Sequence, residues 1–160
     1  MFLRGEKIFL REFLPNDFKA YFEIAHSDSV RRYIRYCYTE TLEESVKAIS
    51  DLSNCNFTDN FYFAICEMKT GKIIGAVLTF RMFSLVLETC CFISEQYRNR
   101  GYCTEALQLL IDYLESNTVY RSLFFNVLTD NKPSQSVLKK LGFHIGDNQE
   151  YFTYSLNRKK

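Results

Sequence analysis

No two of the six cysteines (Cys37, Cys55, Cys66, Cys90, Cys91, Cys103) are spaced as C-x-x-C, and only two histidines accompany them. The common zinc-ligand spacings are therefore missing, and no metal is expected. Four of the six thiols stand in or beside apolar runs, where free cysteine behaves as a small buried hydrophobe. No apolar stretch approaches the roughly 20 residues of a membrane span. The opening Met-Phe-Leu-Arg-Gly-Glu-Lys has neither an h-region nor a small-residue cleavage site, so no secretion signal is expected. Together these absences favour a reducing, cytoplasmic setting. The formal net charge is only +1, which gives no global attraction to nucleic acid or to an anionic membrane. There is no internal repeat and no low-complexity linker. With 47% hydrophobic and 24% charged residues the composition is that of an ordinary folded chain. One domain, residues 1–160, is expected, with about two-thirds of the unfolded surface buried on folding.

What is present is a regular alternation of strand and helix patterns. Residues 7–13 alternate apolar and charged side chains and read as a first strand. Leu14-Pro15-Asn16-Asp17 signals a helix start, followed by Phe18, Tyr21, Phe22 and Ala25 at helical spacing. Residues 30–38 read as a helical turn plus loop. Thr41 with Glu44 matches a capping box for a helix whose apolar face is Val46, Ile49 and Leu52. Residues 53–60 read as loop. Residues 61–67 and 72–81 read as strands joined by a tight turn at Lys69-Thr-Gly71, and residues 85–93 as the next strand. Ala106, Leu107, Leu110, Ile111 and Leu114 form one helical stripe. A strand over 122–128, a helix over 133–141 stopped by Gly142, and one or two closing strands from His144 through 151–156 complete the order. The class is mixed α/β (α+β).

Between the 85–93 strand and the helix that follows lies Gln96-Tyr-Arg-Asn-Arg-Gly-Tyr-Cys103. A turn that opens straight into a helix leaves backbone N–H groups unpaired at the positive end of the helix dipole, and these attract anions. Gly101 permits a tight turn or close approach of a ligand. Arg98 and Arg100 add fixed positive charge. Two readings stand on this segment: a pyrophosphate cradle, or an ordinary βα loop that carries two arginines. About thirty residues later, Asn131-Lys-Pro-Ser134 stands between a strand and a helix that ends in Leu141-Gly-Phe143. The Asn131 amide either caps that helix or points at a ligand.

The ordered set resembles the GNAT superfamily of acyl-CoA-dependent N-acetyltransferases over nearly the whole chain. Arg98-x-x-Gly101-x-Cys103 is similar to the family's phosphate loop. Gly101-Tyr-Cys-Thr-Glu-Ala106 resembles the Gly-Tyr-Ala-Thr-Glu-Ala of the subfamily that acetylates N-termini of ribosomal proteins. Asn131, Ser134 and Leu141-Gly-Phe143 fit its second block, Lys72-Ile-Ile-Gly75 its central strand, and Ile8-Phe-Leu-Arg-Glu with Pro15-x-Asp17 its N-terminal strand and helix. The resemblance implies a GNAT-like fold, a central mixed but mostly antiparallel sheet flanked by helices. It implies acetyl-CoA as co-substrate, held by Phe92, Ile93, Arg98, Asn99, Arg100, Gly101, Tyr102, Cys103, Thr104, Asn131 and Ser134.

Two departures stand out. Asn99 replaces a frequent glycine, and Cys103 replaces Gly or Ala. Cys103 is either a small-residue replacement or, as a thiol at a helix N-terminus beside Arg100, an acetyl acceptor in its own right.

The implied reaction is direct attack of a primary amine on the thioester. An α-amine, with pKa about 8, is partly neutral at pH 7, whereas a lysine-like amine near about 10.4 is almost wholly protonated. A general base helps the first and is nearly obligatory for the second. Glu88 matches a carboxylate that related enzymes place near the amine. It reads either as the base, acting through water, or as an exposed strand carboxylate, and Glu95 is a weaker candidate. The tyrosine often used as general acid would fall at Leu138. A thiolate leaving group with pKa about 8.5 needs little protonation, and Ser134 or water can serve. The catalytic candidates are thus Glu88, Ser134 and Asn131. Arg31-Arg-Tyr-Ile-Arg35-Tyr-Cys-Tyr38 falls where the resemblance puts part of the acceptor site, and it reads equally as a solvated helix end. The expected acceptor is a protein or peptide N-terminus. The alternatives are a small amine (polyamine, amino acid or aminoglycoside) or a CoA-binding regulatory module without turnover. A monomer or homodimer is expected.

Overall fold

The computed structural model describes residues 1–146 and 151–156. Its strands form one eight-stranded sheet in the spatial order β1 (Phe2–Arg4), β2 (Ile8–Glu12), β3 (Phe61–Glu67), β4 (Ile73–Phe83), β5 (Val86–Ile93), β6 (Ser122–Asn126), β8 (Tyr151–Ser155) and β7 (His144–Ile145). Every neighbouring pair is antiparallel except β5 with β6. The helices are α1 (Phe18–Ala25), α2 (Asp28–Tyr33), α3 (Leu42–Ser53), α4 (Tyr102–Asn117) and α5 (Lys132–Lys140). This is the mixed α/β, mostly antiparallel arrangement that the sequence led us to expect.

Period-two alternation sorts the strand side chains onto two faces, each with its own core. Ile8, Leu10, Phe61, Phe63, Ile65, Val77, Leu87 and Ile93 pack with the α4 stripe Ala106, Leu107, Leu110, Ile111 and Leu114. On the other face Ala64, Cys66, Ala76, Leu78, Cys90 and Phe92 meet Tyr21, Ile24, Val30, Ile49 and Leu52 from α1, α2 and α3. The central strands are apolar on both faces because helices cover both. None of the described helices is long and apolar enough to cross a membrane.

Helix entries follow local chemistry. Thr41 Oγ1 accepts from Glu44 N–H at 3.2 Å, as the capping box predicts, while the Glu44 carboxylate takes Glu40 N–H at 2.7 Å. At the first helix, Pro15–Asp17 forms a 3-10 turn before α1 begins. Asp17 closes that turn by accepting Leu14 N–H at 2.7 Å and both guanidinium nitrogens of Arg11 at 2.7 and 3.0 Å.

Three differences from the sequence reading have physical causes. Strand β1 was not expected, because three residues are too few to show a period. It forms because β2 supplies an edge to pair with. Residues 28–33 make a full short helix, capped by Ser27 Oγ accepting from Val30 N–H at 3.4 Å, rather than a single turn. Strand β6 ends at Asn126 rather than 128, because Gln135 Nε2 donates to Thr129 O at 3.1 Å and Leu128 O at 3.4 Å, folding those residues toward α5. Within the expected closing segment, residues 147–150 lie outside the described residues.

The β1–β2 turn is tied directly to α4. Glu105 Oε1 accepts Glu6 N–H at 2.6 Å and Lys7 N–H at 3.0 Å. Gly5 makes this possible, since a Cβ there would lie 2.1 Å from that oxygen. Gly5→Ala is expected to cost about 1–2 kcal/mol by breaking these charge-assisted bonds, and Glu105→Ala about as much. In urea unfolding the double variant should lose little more than either single one, since both remove one interaction. Full additivity would contradict the tether.

Candidate active site at the strand fork

β5 and β6 pair in parallel over only three positions, Val86 with Ser122, Leu87 with Leu123 and Glu88 with Phe124. Past Glu88, β5 runs on to Ile93 beside β4, while β6 continues to Asn126 beside β8. The two strands part, and a gap opens in the middle of the sheet. Ser94 N–H donates to Ile74 O, so the alternation of an antiparallel ladder gives Phe92, Cys90 and Glu88 their main-chain partners on β4. The main-chain groups of Cys91 and Ile93 therefore point into the gap. Ile93 O is taken by Arg98 Nε at 3.2 Å.

One arm of the fork ends in the Gln96 to Cys103 turn. Asn99 has φ +61° and Gly101 has φ +81°, two left-handed residues flanking Arg100. Asparagine tolerates that region better than most residues, which is why it can stand where glycine is frequent. Gly101 O accepts the first helical bond of α4 from Glu105 N–H at 3.0 Å. The N–H groups of Tyr102, Cys103 and Thr104 consequently have no acceptor within the helix. A Cβ at residue 101 would have Lys7 Nζ as its nearest contact, at 3.6 Å, and Lys7 Nζ donates to Arg100 O at 3.3 Å. Lys7 is a cation at the turn that the sequence reading missed. It comes from the β1–β2 turn, 93 residues away, and nothing local in the sequence signals it.

The side chains named from the sequence mostly make contacts within the protein. Arg98 turns back from the turn: besides Ile93 O it donates to Ser29 Oγ at 2.5 Å and lies 3.6 Å from Glu95. Arg100 donates to Gln96 O at 3.0 Å and lies over the Tyr97 ring at 5.4 Å. The Tyr102 side chain is buried, with its hydroxyl donating to Glu67 Oε1 at 2.9 Å. Cys103 Sγ points at Cys91 Sγ, 3.2 Å away, and Thr104 is half-buried in the first turn. Phe92 packs against Tyr21 in the α1–α3 core, away from the gap.

The other arm ends at α5. Asn131 Oδ1 accepts Ser134 N–H at 3.3 Å, so Asn131 is a helix cap. Ser134 is half-buried beside it. Leu138, where a tyrosine acid is frequent in related enzymes, is 1% exposed within the α4-side core. Helix α2 is tied to both arms, through Arg98 to Ser29 and through the ion pair of Arg32 with Asp130.

Glu88 stands at the point of divergence, half-buried, on the last shared rung. Its side faces the α1–α3 layer. Opposite it on β4 is Phe80, on whose ring Tyr36 packs edge-on at 5.8 Å. Burial, followed by Cys90, Cys37 and Glu88, holds the Tyr36 hydroxyl protonated well above the usual range. The residue as a whole is 60% exposed, while its hydroxyl end lies near Cys90 and Glu88. Of the basic segment before it, Arg35 and Arg31 lie over Tyr38 at 5.1 and 5.9 Å.

Fold and site define a class: a mixed α/β protein whose split sheet presents main-chain groups, two helix N-termini and a carboxylate to one gap. Residues 7–144 match the acetyltransferase (GNAT) domain, and the chain belongs to that family of N-acetyltransferases. It is 27% identical over 145 residues to YnaD, an N-acetyltransferase of Bacillus subtilis (strain 168), covering 89% of this chain and 82% of that one. Its fold is similar to the crystal structure of a GNAT-family acetyltransferase from Bacillus anthracis, with TM-score 0.82, 19% identity and 100% of each chain covered. It is also similar to RimL, a ribosomal L7/L12 α-N-protein acetyltransferase in complex with coenzyme A, with TM-score 0.86, 11% identity and 99% and 100% covered. A ribosomal-protein-S5-alanine acetyltransferase from Vibrio fischeri aligns with TM-score 0.74 at 16% identity over 100% of both chains.

The Tyr102–Glu67 bond gives a pH test of how the turn is anchored. Thr70 and Tyr102, by donating to Glu67, hold its carboxyl below the usual carboxylate value. A lowered folded pKa means the stabilisation is complete above the unfolded value of about 4.3 and is lost as pH falls through the folded one. Thermal midpoints of Tyr102→Phe and the parent should therefore differ most at neutral pH and converge below about pH 4. A constant gap would mean that the bond does not engage the charged carboxylate.

Proposed function

We propose that this chain transfers an acetyl group from acetyl-CoA to the α-amine of a protein or peptide N-terminus. The observation that carries the reading is the fork itself, with Glu88 at its apex and a turn of free amides at the end of one arm. The residues present fit the donor. Free N–H groups of Tyr102, Cys103 and Thr104, with Lys7 and Arg100 nearby, suit a pyrophosphate. The gap-facing main chain of Cys91 and Ile93 suits an extended amide-bearing arm. Bound acetyl-CoA supplies the activated acetyl thioester.

The chain's own residues then orient the amine and take its proton. Glu88 accepts that proton through a water held at the apex, and an α-amine, partly neutral at pH 7, asks less of it than a lysine-like amine does. Tyr36 and Phe80 wall the apex on the acceptor side. Ser134 or water protonates the departing thiolate. A protein acceptor is supported by the fold likeness to RimL and to the S5-alanine acetyltransferase. The three arginines of residues 31–35 disfavour a polycationic acceptor such as a polyamine.

Three experiments test this. Gly101→Glu should abolish acetyl-CoA binding by calorimetry in a protein that circular dichroism shows to be folded, because the new side chain fills and charges the turn; unchanged affinity would refute the phosphate-turn assignment. Glu88→Gln should lower kcat by about 100-fold with acetyl-CoA affinity retained. A full-rate Glu88→Gln enzyme would remove Glu88 as base. Thiol release measured over a panel of peptides and small amines should be fastest with peptides; acetyl-CoA binding without release for any acceptor would favour a regulatory CoA-binding module.

A further inference from the structure

Strand β5 carries two adjacent cysteines, which strand alternation sends to opposite faces of the sheet. Each meets a second cysteine. Cys90 Sγ lies 3.7 Å from Cys37 Sγ in the α1–α3 core, and Cys91 Sγ lies 3.2 Å from Cys103 Sγ in the first turn of α4. The pairs are not equivalent. Cys37 and Cys90 are only 4% and 5% exposed, closed to a solvent-borne oxidant. Cys91 and Cys103 are both half-buried and their sulfurs are closer. A disulfide holds its sulfurs at about 2.05 Å, so the Cys91–Cys103 pair needs an approach of only about 1 Å. One partner is on a strand held by its ladder with β4. The other is on the end of a helix, which can give.

We propose that Cys91 and Cys103 are a redox-modification site, oxidised reversibly by peroxide to a disulfide that resets the phosphate-binding turn. One sulfur attacks a peroxide oxygen; the O–O bond breaks, giving a sulfenic acid and one water. The second sulfur attacks the sulfenic sulfur, forms the S–S bond and releases a second water. Two thiols and one hydrogen peroxide thus become one disulfide and two waters, the sulfurs giving up two electrons. The hydrogen bond from Cys103, together with burial, pushes the Cys91 thiol up, which leaves Cys103 as the sulfur that reacts first. Cys103 is two residues past Gly101, and its own N–H is one of the free first-turn donors. Drawing it toward β5 moves those donors relative to Lys7 and Arg100. This consequence, though not the disulfide, rests on the acetyl-CoA reading.

Trypsin cleavage after Arg35, Lys47, Arg81, Arg98, Arg100 and Arg121 places Cys37, the Cys90–Cys91 pair and Cys103 on three separate peptides. After hydrogen peroxide, non-reducing mass spectrometry should find peptide 82–98 joined to 101–121, with two hydrogens lost and dithiothreitol restoring both. Calorimetry should then show acetyl-CoA bound roughly tenfold more weakly by the oxidised protein, about the worth of one hydrogen bond lost, and recovery on reduction. Cys103→Ala, or Cys103→Ser if the alanine variant does not fold, removes the sulfur that reacts first and must show no peroxide-dependent change from its own starting affinity. The proposal is overturned by a cross-link of 82–98 to 36–47 instead, by a Cys103 sulfinate without a cross-link, or by equal measurable affinity in the two redox states. If the reduced protein does not bind acetyl-CoA at all, the donor reading fails, and the cross-link alone decides the pair.

Discussion

β5 and β6 share three rungs and then separate, and the functional architecture follows from that short parallel contact. A parallel pair needs a long crossover, here α4, so the end of β5 must pass through a turn into a helix N-terminus. β6 in turn leaves through Asn131 into α5. Two helix dipoles are thereby brought to the open end of one gap. Had the strands stayed paired to Ile93, the main chain of Cys91 would be consumed by the sheet and Glu88 would be one more strand carboxylate.

The turn at the end of β5 is held by contacts that reach across the fold. Glu105 fixes the start of α4 to the β1–β2 turn, Tyr102 fixes it to the end of β3 through Glu67, and Lys7 closes over Arg100. Arg98 braces the end of β5 to α2. These contacts set the free amides of residues 102–104 in place before any ligand arrives, which lowers the ordering cost of binding. In this division of labour the arginine of the recognisable motif is a strut, and the main chain presents the donors.

β5 also transmits between its two faces. Glu88, Cys90 and Phe92 look toward the layer of α1 to α3, while Leu87, Cys91 and Ile93 look toward α4. The Cys91–Cys103 contact lies on the α4 face alone. The buried Cys37–Cys90 contact lies on the other face, where Tyr36 covers the apex.

Much of the fold was legible locally. Hydrophobic periods located β2 to β6 and β8, because each carries a run of alternating or continuous burial; β1 and β7, with three and two residues, carry none, and the closing segment was expected to hold one strand or two. The Gly101 turn and the Asn131 cap were readable because glycine, asparagine and their spacing have local meanings. The linear sequence could not show that Tyr102 and Arg98 face inward to Glu67 and Ser29, since those partners are 35 and 69 residues away. It could not show Lys7 at the Gly101 turn, nor that Cys91 and Cys103 touch. The sequence by itself determined the alternation of strands and helices and the chemistry available at each turn, because those depend on neighbours a few residues apart. The tertiary structure alone decided where β5 and β6 part, and therefore which of those groups face the gap, because that depends on how far two distant strands stay in register.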